Sequence, residues 1–167
     1  MPPRTSPSPS RSSGDRSANS GADAAPRTIH RVAFNGGNLA HWALFLPDVD
    51  GGSDGTLAHI GAETNSSGKK GAHRLRFKKI RVTSSSARSV HAINGAKVTG
   101  TMLREVAAEV FAAKGGYNAV TNNCQHFCYD VIAAINAKYP GFVLDSAVAD
   151  MWAHRNTIVT VTKYLRG

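Results

Sequence analysis

The stretch TNNCQHFCYDVIAAIN, residues 121–136, holds both cysteines of the chain, Cys124 and Cys128. Cys124, Phe127, Cys128, Val131, Ile132 and Ile135 recur at helical spacing and form one apolar stripe. Asn122 or Asn123 suits the N-cap, and Pro140-Gly141 closes the helix after Lys138. Cys124 therefore falls in the first turn of a helix, on the face turned towards the rest of the protein. Amide N–H groups in a first turn lack intrahelical partners, and the helix dipole there favours an anion. A thiolate is stabilised at such a place, and the thiolate is the nucleophilic form. The same N–H groups could receive the oxyanion formed when a carbonyl is attacked. Cys128, one turn deeper, is expected to be a buried, inert thiol.

A cysteine nucleophile needs a base, and the base needs an orienting group. Of the seven histidines, His30 and His154 lie near the ends, and His73 and His91 lie in or near weaker elements. His126 is two residues from Cys124, where helical side chains do not face each other. His41 and His59 differ. Each sits in a predicted strand of the strongest pair, AHWALFLP (40–47) and TLAHIGAE (56–63), and a hairpin would bring them together. A first histidine facing the helix start, held by a second, makes a Cys-His-His arrangement. Competing readings are plainer. A lone helical cysteine is more often core, His59 could simply end a strand, and Trp42 is a core residue before it is a substrate platform. A zinc site from Cys124, Cys128 and His126 lacks the tight loop and second ligand pair of zinc fingers, so no metal is expected. A disulfide between side chains four apart in one helix is disfavoured, because they run parallel.

HWALFLP, then LAHIGAE, then YNAVTNNCQHF resemble the lecithin:retinol acyltransferase family, within the papain-like NlpC-type superfamily of thiol enzymes. The resemblance covers roughly residues 30–136. It implies His41 as general base, His59 as its orienting residue and Cys124 as nucleophile. It also implies an α+β, permuted papain-like domain, with an antiparallel sheet packed on a helix headed by the nucleophile. The chemistry implied is a thioester acyl-enzyme, passed on to water, an amine or an alcohol, with no cofactor. Gln125 stands where that family has Glu, and the loop DVDGGSDGT between the histidines is long for it. The PPPDE-type isopeptidases, which act on ubiquitin-like conjugates, resemble the same pattern. The expected substrate is an acyl-bearing lipid or protein. A catalytically inactive binding module using a basic surface is the reading from a different class.

The elements that must position these residues lie in residues 28–167, read as one domain. Residues 1–27 are rich in Ser, Pro, Ala and Arg with almost no large apolar side chain, and read as a disordered basic tail. TIHRVAFN (28–35) ends in the turn signal Gly36-Gly37-Asn38. In AHRLRFKKIRV (72–82), Arg74, Arg76 and Lys78 alternate with His73, Leu75 and Phe77, which is a half-exposed strand with a basic outer face. The alternation slips at Lys78-Lys79, and a bulge is one explanation. One short strand is expected near SVHAIN. A helix follows over TMLREVAAEVFAAKGG, with Leu103, Val106, Ala107, Val110 and Phe111 as its stripe. The last segment reads as a short helix from Asp145 and then a strand, TIVTVTKYL.

Hydrophobic residues make up 41% of 167, enough for a real core. No segment has the form of a secretory signal or approaches ~20 apolar residues, so no transmembrane segment, reduced thiols and a cytoplasmic location are expected. The net charge is +9. Lys69, Lys70, Arg74, Arg76, Lys78, Lys79 and Arg81 concentrate much of it, either as a solvated strand edge or as a contact for an anionic membrane surface. Without a series of stacking aromatics, nucleic acid ranks below membrane or acidic protein as a partner.

Overall fold

In HWALFLP every residue after the first is buried, so this strand lies at the centre of the molecule. The computed structural model describes residues 23–34, 41–64, 67, 70–114 and 123–164. Among them are strands β1 (Arg27–Phe34), β2 (His41–Pro47), β3 (Asp54–Thr64), β4 (Lys70–Arg81) and β5 (Ser89–Val98). Helices α1 (Gly100–Ala113), α2 (Cys124–Lys138) and α3 (Asp145–Tyr164) follow. The class is α+β: one antiparallel sheet in the order β4-β3-β2-β1-β5, with helices gathered on one face. Consecutive strands pair as hairpins, and only β5 crosses over to lie against β1.

Strand alternation sorts the side chains into two layers. Ile29, Ala33, Trp42, Leu44, Leu46, Ala58, Ile60, Ile93, Ala96 and Val98 face the helices. They meet Leu103, Val106 and Ala107 of α1, the Phe127, Cys128, Val131, Ile132 and Ile135 stripe of α2, and Ala147 and Met151 of α3. Val32, Ala43, Phe45 and Leu57 face the other way and form a smaller cluster with Val82 and Ala87, which fold back after β4. α1 and α2 are tied at their far end, where Lys138 donates to Glu105 and Glu109 and the Tyr139 hydroxyl donates to Glu105.

The expected bulge at Lys78-Lys79 is absent. Lys78↔Leu57, Lys79↔Thr56 and Ile80↔Gly55 continue one register, and the shift in the β3–β4 ladder falls between Ala62 and Thr64 instead. The hydrophobic face changes along β4 because the core changes sides. Leu75 and Phe77 pack towards the helices, while Ile80 packs on the smaller cluster that Val82 and Ala87 close.

The expected C-terminal strand is also replaced, since TIVTVTKY continues α3. No Gly or Pro interrupts 145–164, and extending an existing helix avoids the cost of nucleation, which outweighs the β preference of the branched residues. The basic tail read over 1–27 lies outside the described residues up to residue 22. Arg27 belongs to the sheet: it is 5% exposed and its guanidinium donates to the Asp48 carbonyl at 2.9 Å. Lys69 and Gly115-Gly116 also lie outside the described residues.

Candidate active site

Cys124 is the first residue of α2 and is 7% exposed. Asn123 is the N-cap, with extended backbone (φ −109°, ψ −178°). Its Oδ1 accepts from the backbone N–H of Gln125 at 3.0 Å and of His126 at 3.1 Å. The sequence pattern led us to expect these first-turn amides to be open to an oxyanion; the cap occupies two of them. The His126 ring also turns back onto the cap, with Nδ1 2.9 Å from Asn123 Oδ1. His126 is thus a clamp on the helix start, a role the spacing argument missed. The signal was available in the i, i+3 relation of Asn123 and His126, which is the spacing of a capping box.

A donor to the thiol comes from the sheet: the Trp42 backbone N–H donates to Cys124 Sγ at 3.4 Å. Strand pairing between β2 and β3 runs from Pro47↔Gly55 to Leu44↔Ala58, so the Trp42 amide lies beyond the paired stretch, next to α2. The Trp42 side chain is 3% exposed, within the helix-facing core, with the Arg31 guanidinium 4.4 Å from its ring centroid. It is a packing residue and offers no surface to a substrate.

His41 and His59 come together. Leu44↔Ala58 fixes the register, and counting by twos puts both histidines on the same face, diagonal to each other. His41 Nε2 lies 3.3 Å from His59 Nδ1, with the rings nearly perpendicular at 84°. Gly61 makes room for this contact, since a Cβ there would lie 3.3 Å from His59 Cε1. Gly61→Val is therefore expected to displace the His59 ring and uncouple the pair while leaving the buried core intact. The two imidazole titrations followed by NMR check this: they should become independent in the variant, and unchanged titrations would contradict it.

Burial lowers the pKa of His41. His59 is lowered first by burial, then by the nearby charges of His41, Arg76 and Lys78, and His30 is lowered by burial. Each ring is thereby held neutral. The unfolded chain takes up these protons near the ordinary imidazole value of about 6.5, before the folded chain does. Stability is then fully present above about pH 6.5 and falls as the pH drops through the window below it. Urea midpoints measured from about pH 7.5 to 5.5 should decline; a flat profile would show that the three rings are not held neutral by the fold.

The thiol and the imidazole pair meet β2 at the same end but from different sides. Cys124 approaches from the helix layer and touches the main chain at Trp42. His41, the preceding residue and the first of its strand, shares the other face with Ala43 and Phe45, and its ring lies 6.2 Å from that of Phe34. The fold brings the Trp42 amide to the thiol and the His41 ring to His59. Cys128 is fully buried, and burial, followed by the charge of Cys124, pushes its thiol well up. Both cysteines are free thiols.

The basic run shares the face of the histidines. Arg74, Arg76 and Lys78 are exposed and stand opposite Gly61, His59 and Leu57. A cavity of about 450 Å³ lies here, lined by His59, Gly61, Ala62, Arg76, Phe77 and Lys78. Among the described residues, no group of three or more His, Cys, Asp or Glu side chains is placed to hold a metal ion, and no helix is long and apolar enough to cross a membrane. Comparison of the chain with protein-family models, curated proteins and solved structures gave no match.

Proposed function

We propose that this protein is a thiol hydrolase or acyltransferase of permuted papain-like architecture, with Cys124 as nucleophile, His41 as base and His59 as the residue that orients it. What supports this most is the convergence at one end of β2: a helix-start thiol accepting the Trp42 N–H, beside an imidazole pair in mutual contact. With His41 Nε2 engaged by His59, His41 Nδ1 is the nitrogen left for the thiol proton.

In the proposed reaction Cys124 passes its proton to His41, and the thiolate attacks the acyl carbonyl. The Trp42 N–H, already directed at sulfur, donates to the developing oxyanion. Collapse breaks the bond to the leaving group, which takes the proton from His41. Water, an amine or an alcohol then gives its proton to His41 and attacks the thioester, releasing Cys124.

The basic face beside His59 suits an acyl-bearing lipid at an anionic membrane surface, or an acidic protein substrate. That face is also what favours the second reading, a binding module without chemistry. A panel of acyl probes (lipid ester, peptide ester and ubiquitin-like ester) decides between them by intact mass. An acyl adduct on Cys124 is expected with one class. A folded protein that binds acidic vesicles yet takes no adduct from any class would assign the chain to the binding reading.

A further inference from the structure

Arg31 lies on the helix-facing side of β1 and is 8% exposed. Its strand neighbours are Leu44 of β2 and His91 of β5. The guanidinium stacks on Trp42, and burial lowers its pKa while Asp150 raises it. Among the described residues it makes no hydrogen bond and no close ion pair. A buried guanidinium with five N–H donors and no acceptor is costly to maintain, and its planar fork matches the geometry of an oxyanion.

The acceptor it lacks has a place to sit. Arg31 lines a cavity of about 220 Å³ between β1, β5 and α3, together with His91, Asn94, Asp150 and His154. Asp150 is held by α3, and His154 Nδ1 lies 3.4 Å from its Oδ1 and 2.9 Å from its carbonyl oxygen. The cavity thus offers donors from Arg31 and Asn94, and one carboxylate. A bare anion would satisfy the donors but meet repulsion at Asp150. An oxyanion that carries its own proton satisfies both, since its O–H donates to the carboxylate. Inorganic phosphate keeps such a proton at neutral pH, a phosphomonoester keeps one in part, and sulfate has none.

We propose that this cavity is a binding site for a protonated phosphate group, gripped by Arg31 and donating its P–OH to Asp150. The site is separate from the thiol chemistry and stands or falls without it.

Calorimetric titration of the full chain at about pH 6.5, close to the second phosphate pKa, tests the proposal with inorganic phosphate and sulfate at matched ionic strength. Phosphate is expected to bind at least about tenfold more tightly than sulfate, the scale of one hydrogen bond to a charged group. Asp150→Asn should erase that preference, because an amide can donate to sulfate. Arg31→Met should lose both ligands. Glycerol phosphate binding as well as inorganic phosphate would assign the site to phosphomonoesters, and its exclusion would assign it to free phosphate. Equal affinity for phosphate and sulfate in the native chain would overturn the proposal and point to non-specific attraction to a basic protein. Phosphate affinity unchanged in a folded Arg31→Met protein would do the same. Should Arg31→Met not fold, Asp150→Asn still decides, since a preference that survives it removes the carboxylate from the site.

Discussion

Cys124→Ser is expected to lower acyl transfer by roughly 10⁴-fold or more, the scale seen when a covalent nucleophile is removed. Serine keeps the volume and can still accept the Trp42 N–H, so the fold should persist. Its hydroxyl does not ionise near neutral pH, and a histidine base placed for a thiol activates it poorly. Turnover and adduct formation should therefore both vanish, while the urea midpoint moves by no more than about 1 kcal/mol equivalent. Cys128→Ser should leave turnover intact, because that thiol is fully buried. A Cys124→Ser protein with native turnover would remove the nucleophile from the account.

His41→Ala should lower turnover by roughly 10²–10⁴-fold, the usual contribution of a positioned acid–base group. His59→Gln should cost less, since a Gln side chain can still hydrogen-bond His41 Nε2 and hold the ring. The pH profile separates the two roles. Burial and His41, then Arg76 and Lys78, lower the His59 pKa, so Arg76→Gln with Lys78→Gln should move the His59 titration to higher pH. If His41→Ala and His59→Gln lost activity equally with no change in the pH profile, the pair would be structural rather than a base and its support.

Much of this arrangement could be read from local pattern. The runs HWALFLP and TLAHIGAE, bounded by Pro47 and by glycine-rich loops, mark β2 and β3 because a buried strand needs a short apolar run between turns. The stripe from Cys124 to Ile135 marks α2 for the same kind of reason. The unread features depend on what lies across space. The change of core face at Ile80 required knowing that Val82 and Ala87 return over Phe45 and Leu57. TIVTVTKY looks like a strand in isolation, but it follows a helix with no breaker between them. At the site, residue types showed a thiol and two histidines. They could not show that Asn123 consumes the amides of Gln125 and His126, or that the sheet supplies the Trp42 amide in their place. Nor could they show which side of β2 each group approaches.

The central claim is that Cys124, and not Cys128, is an activated thiol coupled to His41. Iodoacetamide alkylation of the native full chain, read peptide by peptide by mass spectrometry across pH, tests it most directly. At about pH 6.5, two units below an ordinary thiol pKa, Cys124 should be modified much faster than Cys128. Its rate should follow a depressed pKa that rises towards the ordinary value in His41→Ala. Equal rates at the two cysteines, or a Cys124 profile that His41→Ala leaves unmoved, would contradict the account.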